Sequence, residues 1–319
     1  MKRGLILLTL AGVLAAPALP AWSAPFAYVA NEGSASISVI DVATDAVTAT
    51  IATGEKPRGI AVSRDGKRVF VTEQAGNVLA AYDTATGSRI ERVAVGRSPE
   101  ASYLSPDGRM LAVAVEENDL VVLVDAASLK VVRKIAMKGK NPEHAVWSPD
   151  GKWLYASAED ADSVDIVDVA RGEVVKSLAV GLRPRGIAFL PDGSRAYVAA
   201  ENADLVSVID VAKQAVVATI PASSRANGVT VHPDGKRVYV SAGGKGTVQA
   251  IDTATHRVVA EVEVGRRPWN MAITPDGRKL YVACGRSDAV AVIDTATFTK
   301  VREVAVQKMP WGVAIAPAR

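Results

Sequence analysis

Nine residues could contact a ligand or do acid–base work: Arg58, Glu100, Glu143, His144, Arg185, Asn227, Trp269, Asn270 and Trp311. Seven of them share one position. Each follows a proline (Ala226 in the case of Asn227), at intervals of 42 residues with a single 43. His144 and Asn270 are the next residues along. A carboxylate beside an imidazole is the composition of an acid–base pair, because neighbouring titratable groups in a partly buried site can be tuned toward neutral pH. Glu143 and His144 are the only candidates of this kind, and consecutive strand residues point to opposite faces, which weakens them as a pair. Exposed tryptophans with converging charges are the composition of a recognition site.

Other chemistry is thinly represented. His144, His232 and His256 are too far apart in the repeat pattern to converge on a metal, which needs about three protein ligands at about 2 Å. No metal site is expected. There is no Cys-x-x-Cys-His signal for haem, no Gly-x-Ser-x-Gly elbow and no phosphate loop. Neither PQQ nor haem is supported by any motif, and no cofactor is expected. Cys284 is the single cysteine, so it makes no intramolecular disulfide. Free cysteine is commonly a small buried packing residue.

The elements that position these residues come from one repeat. Asp41, Asp83, Asp125, Asp168, Asp210, Asp252 and Asp294 each close an apolar run, and Asp-Gly recurs at Asp65, Asp107, Asp150, Asp192, Asp234 and Asp276. In the repeat around Pro57 to Gly96, four runs of strand type are separated by turn residues. Runs such as Val121–Val124 are apolar throughout, which suits sheets covered on both faces. Repeats of this length built of four short strands indicate an all-β, seven-bladed β-propeller of four-stranded antiparallel blades. The phase of the repeat predicts closure. The chain begins with three strands of a blade and ends, at Trp311–Ile315, with the first strand of one. One C-terminal strand pairing with three N-terminal strands completes the ring. The repeated Asp residues read as turn formers, each accepting a bond from a backbone N–H two residues on.

Residues 1–24 have the pattern of a cleavable signal peptide: Lys2 and Arg3, 13 apolar residues from Gly4 to Ala16, then small residues near Ser23 and Ala24. Residues 25–319 form a single propeller domain. A periplasmic or secreted address follows, with no membrane span after cleavage. Of 37 Lys and Arg, removing Lys2 and Arg3 leaves 35 against 34 Asp and Glu. That near balance gives no field to attract nucleic acid.

Tyr28-Val29-Ala30-Asn31, Tyr239-Val240-Ser241, Tyr281-Val282-Ala283, the turn Pro233–Arg237 and Val292–Thr297 resemble the strand and turn text of YVTN-family β-propellers. The resemblance covers the whole chain after residue 24 and implies fold rather than function. Arg183–Ala188 and Met309–Val313 further resemble the propellers associated with PQQ-dependent catabolism. That group implies an accessory role near periplasmic quinoprotein alcohol oxidation, with no PQQ site in this chain.

In such a ring the nine residues surround one mouth of the central channel. Trp269, Trp311 and Arg58 are neighbours, roughly opposite Glu143 and His144. The loops at Glu116–Asp119, Glu159–Asp162 and Glu201–Asp204 are acidic, Lys245 and Arg286 mark the equivalent loops of later blades, and Arg183, Arg185, Arg225, Arg266 and Arg267 add positive charge nearer the channel, so the face is expected to be polarised. The expectation is a monomeric, non-catalytic binding or scaffold protein that holds a periplasmic protein partner, such as a quinoprotein dehydrogenase system, or a small ligand. The competing expectation is a lactonase-like hydrolase or lyase using Glu143 and His144. The bland alternative is that the mouth residues are solvated and the tryptophan rings cap the channel.

Overall fold

A computed structural model describes residues 25–316. The expected signal segment, 1–24, lies outside the described residues. Seven four-stranded sheets are arranged as blades, all antiparallel. We number the blades by their inner strands: Pro57–Val62, Pro99–Leu104, Pro142–Trp147, Pro184–Phe189, Ala226–Val231, Pro268–Ile273 and Pro310–Ile315. The seventh inner strand pairs with Phe26–Asn31 in the register Ala27↔Ile315, Tyr28↔Ala314 and Val29↔Val313. The ring is therefore closed by the C-terminal strand joining the three N-terminal strands, as the repeat phase predicts.

Residue pattern explains the layering. The two middle strands of each blade are buried on both faces, as in Leu111–Val115 and Val121–Val124, because neighbouring blades cover them. Outer strands such as Arg89–Ala94 and Thr299–Ala305 are mostly exposed and carry Arg, Lys and Glu, which discourages edge-to-edge pairing. The blades approach closely near the channel. A Cβ on Gly59 would lie 2.4 Å from the Glu100 carbonyl oxygen, and one on Gly228 2.4 Å from the Trp269 carbonyl oxygen. Only glycine permits that contact. Thr72 and Ser241 span the same seams: each hydroxyl accepts from the inner-strand glycine N–H and donates to the next blade's carbonyl.

Each inner strand carries a β-bulge just after its first residue, with the register slipping between Pro57 and Ile60 and equivalently elsewhere. A bulge re-aims a side chain. Here it sits at the seven ring positions.

The repeat carboxylates are turn formers. Asp83 Oδ1 accepts from the N–H of Ala85 and of Thr86, and Asp294 Oδ1 from that of Thr297. The bond to the third residue recurs in all seven blades, one residue further than a simple Asx-turn. The 43-residue interval is also placed. Its extra residue falls between Met137 and Pro142, where Asp165 accepts bonds from the N–H groups of Lys138 and Gly139.

Candidate functional site

Two rings of side chains meet at one end of the channel. The first comprises the seven bulge residues. The second is the opening residue of each loop between the second and third strands: Glu32, Gln74, Glu116, Glu159, Glu201, Gly243 and Gly285. The backbone couples them. In every blade the N–H of this loop residue donates to the carbonyl of the residue before the inner strand, as Glu201 does to Arg183. Sequence reasoning noted the acidic loops but not this ring, although it has the same 42-residue spacing.

The rings are joined by ion pairs that cross between blades. Arg58 donates to both oxygens of Glu100 at 2.6 and 2.7 Å, and to Glu32 at 3.0 Å. Gln74 donates to Glu100 at 2.7 Å, and the Ser98 hydroxyl donates to Glu116 at 2.7 Å. Arg185 pairs with Glu143, Glu159 and Glu201, the last through Nε at 2.8 Å. Arg267 donates to Glu201 at 2.7 Å, and Arg183 to Glu159 at 3.1 Å. Glu100, Glu143, Glu159, Arg185, Glu201 and Asn227 are all buried.

The carboxyl groups divide by environment. Burial, with the nearby Glu143 charge, pushes Glu100 up to about 8 despite Arg58. Burial, then the hydrogen bond to Glu143 and its charge, pushes Glu159 up to about 9. Burial opposes ionisation of Glu143 too. Arg185, the hydrogen bond with Glu159 and the His144 and Arg58 charges outweigh it and pull Glu143 down to about 2. Glu159 thus holds a proton that it shares with the Glu143 carboxylate.

Glu143 and His144 do not assemble as an acid–base pair. Glu143 is an ionised partner of Arg185. His144 has its Nδ1 at 2.7 Å from the Tyr103 hydroxyl, and burial pulls its pKa down to about 4, so the ring is neutral. Oxygens of Glu116, Glu143 and Glu159 lie within 4.8 Å of one another, the spacing of a cation site. Arg185 already lies against two of the three, so a guanidinium supplies the positive charge there.

The tryptophans are corrected by the structure. Trp311 is only 6% exposed, and its ring stacks on His144 across the channel with centroids 6.1 Å apart. The opposite placement read from ring order is right, but the channel is narrow enough for the two sides to touch. Trp311 is a plug, not an exposed anchor. Trp269 is half-buried. It lies over Gly285, where a Cβ would stand 2.2 Å from the ring, and the Arg267 guanidinium sits 5.9 Å from its centroid. Asn270 donates weakly to the Trp311 carbonyl at 3.4 Å. Glu100, Glu143 and Arg185 are not solvated, contrary to the bland reading, because the ion pairs consume them; Asn227 is buried without one, and Arg58 stays partly exposed. A haem macrocycle could reach His144, 1% exposed, only by displacing Trp311. Cys284 is buried, and burial pushes its thiol up to about 12, which keeps it protonated and inert.

Outside the rings, the loop face of blades two and three interleaves acids with Arg97 and Lys140, which pair with Glu117 and Asp119. Glu117, Asp160 and Asp204 are exposed on blades two to four. Between blades five and six lies a groove of about 630 Å³ lined by Lys245, Arg266, Arg267, Arg286 and Lys300, with Glu263 and Glu303. Lys245, Arg267 and Lys300 have ion-pair partners. Among the described residues Arg266 and Arg286 are exposed and have none.

The closed ring and its charge-lined channel define a seven-bladed β-propeller. A model of the YNCE-like β-propeller matches residues 1–104 and 77–187, more than half of the chain, and the chain belongs to that family. A model described as lactonase, seven-bladed β-propeller, matches residues 173–311. No curated protein matches. Among solved structures the chain is similar to hydrazine synthase of Kuenenia stuttgartiensis, with 24% identity, 90% of this chain and 99% of that one covered, and a TM-score of 0.79. It is similar also to a functionally unknown protein from Desulfotomaculum acetoxidans, with 18% identity, 92% and 99% covered, and a TM-score of 0.82. A third is the dihydro-heme d1 dehydrogenase NirN, with 18% identity, 93% and 77% covered, and a TM-score of 0.69. At these identities the likeness is one of fold.

Proposed function

We propose that this chain is an exported, non-catalytic binding or scaffold propeller that holds a protein partner across its loop face, accessory to periplasmic quinoprotein alcohol oxidation. The charges of the loop face carry the reading: exposed Asp160 and Asp204 on blades three and four, and a groove with two unpaired arginines, Arg266 and Arg286, between blades five and six. Complementary charge steers a partner and fixes its orientation. Trp269, half-buried beside this groove, is the aromatic anchor that such a face would use. The locked pairing of Glu143 and the neutral, enclosed His144 support a role without turnover. Export rests on residues 1–24, and the quinoprotein setting on the text of Arg183–Ala188 and Met309–Val313. Affinity capture from the native periplasm, with an absorption spectrum of the purified protein, tests this. A single dominant partner released by salt is expected. Failure of the native periplasm to yield any salt-sensitive partner would count against it.

A second reading has one observation behind it, the lactonase-type model over residues 173–311. Lactone hydrolysis that disappears in folded Glu143→Gln would establish it. Turnover unaffected by that change, or none, would remove it.

A further inference from the structure

The channel has another end. Beyond the stacked rings of His144 and Trp311, on the side away from the carboxylates, it opens into a cavity of about 360 Å³ lined by the later halves of the inner strands. Its side chains are mostly apolar and aromatic, with Ile187, Phe189, Val229, Met271 and Trp311 among them; Ser102, Thr230, Asn270 and backbone groups add a comparable polar share, and no Asp, Glu, Lys or Arg contributes. At its inner end one buried polar atom of the lining has no protein partner, the Ser102 hydroxyl, on a residue that is 2% exposed. Asn270 adds an amide whose only bond is the weak one to Trp311. Leaving a buried polar group unpaired costs about 1–3 kcal/mol. A ligand able to pair with these atoms recovers that cost.

We propose that this end of the channel binds a small neutral alcohol with an apolar, preferably aromatic, body. Concave apolar walls with a few converging polar groups are the composition of a small-molecule site. The missing charges exclude an ionised ligand, since an unpaired ion is expensive to bury. The head group is a hydroxyl because it both donates and accepts. It can therefore answer Ser102 and the Asn270 amide together. The site is separate from the loop face, so its failure leaves the partner reading untouched.

The test uses the whole chain with three probes of one shape: benzyl alcohol, benzoate and toluene. Binding is followed by calorimetry and by tryptophan emission, since Trp147 and Trp311 line the cavity. Saturable binding of benzyl alcohol is expected, with toluene weaker by roughly five- to tenfold, the worth of one hydrogen bond of about 1 kcal/mol. Benzoate should be weaker still. Ser102→Ala should bring benzyl alcohol to the level of toluene while the melting temperature is kept. Val229→Trp, which fills the cavity, should abolish binding. The proposal is overturned if benzyl alcohol gives no saturable signal, or if benzoate binds as well. It is also overturned if folded Ser102→Ala binds benzyl alcohol as the parent does.

Discussion

Replacing Arg185 by Gln probes the sealed end of the channel most sharply. Its side chain is 11% exposed and lies against Glu143, Glu159 and Glu201, which are 6, 4 and 0% exposed. Glutamine keeps some of the hydrogen bonding and removes the charge. Breaking a buried ion pair from one side costs about 3–5 kcal/mol, because the remaining charge is left without compensation. The proton that Glu159 already carries spares one of the three carboxylates, so the lower half of that range applies at neutral pH and below. With an unfolding entropy of about 2.1 cal/mol/K per residue, some 290 residues give about 0.6 kcal/mol/K, so a loss of about 3–4 kcal/mol appears as roughly 5–7 °C in melting temperature. Thermal melts followed by circular dichroism at pH 6 and pH 8.5 measure it. The loss should be larger at the higher pH, where Glu143 is less able to recover by taking up a proton. Glu143→Gln added to Arg185→Gln should restore part of the loss. A fall below about 1 °C at both pH values would refute the reasoning, since the buried network would then contribute nothing that its desolvation does not cancel.

Further outcomes follow from the same geometry. Burial raises the titration of Glu100 to about 8 and, with the hydrogen bond and charge of Glu143, that of Glu159 to about 9, against an ordinary glutamate value near 4.5. Their stabilisation is complete below the ordinary value and is lost as pH rises through the folded values. The denaturation midpoint should therefore fall between pH 7 and 8, a window above the lowered titration of His144. Glu100→Gln with Glu159→Gln should flatten it; an equally steep slope in that variant would remove the explanation. Deleting residues 311–319 takes away most of the strand that pairs with Phe26–Asn31 and should lower the melting temperature sharply. An unchanged melt would contradict closure by that strand.

The fold was legible because the repeat is long, regular and countable. The 42-residue period identified the blades, and its phase identified closure, since Trp311–Ile315 matches the other inner strands in text. The seven ring positions were legible for the same reason: each follows the start of an inner strand, where the bulge turns it toward the channel. Their surroundings were not legible. The sequence orders residues around a circle but does not state its diameter. Trp311 was therefore expected to be exposed, and instead touches His144 across the gap. Nor does the sequence state that Arg58 reaches Glu100 in the next blade, or that Arg185 gathers three carboxylates. Those contacts arise because glycines such as Gly59 and Gly228 bring adjacent inner strands together. The loop ring from Glu32 to Gly285 was within reach of the same counting. The unpaired atoms of Ser102 and His144 were not, because only packing reveals which polar groups lack partners.

The central claim is that the loop face captures a partner by charge. Its most direct measurement is the association rate of the captured partner with the parent and with Arg266→Glu/Arg286→Glu, at low and at physiological salt. The two side chains are exposed and unpaired, so the variant should fold as the parent does. The account predicts an association rate lowered about tenfold or more at low salt, a gap that closes as salt rises, and a dissociation rate little changed. Equal association rates at both salt concentrations would contradict it.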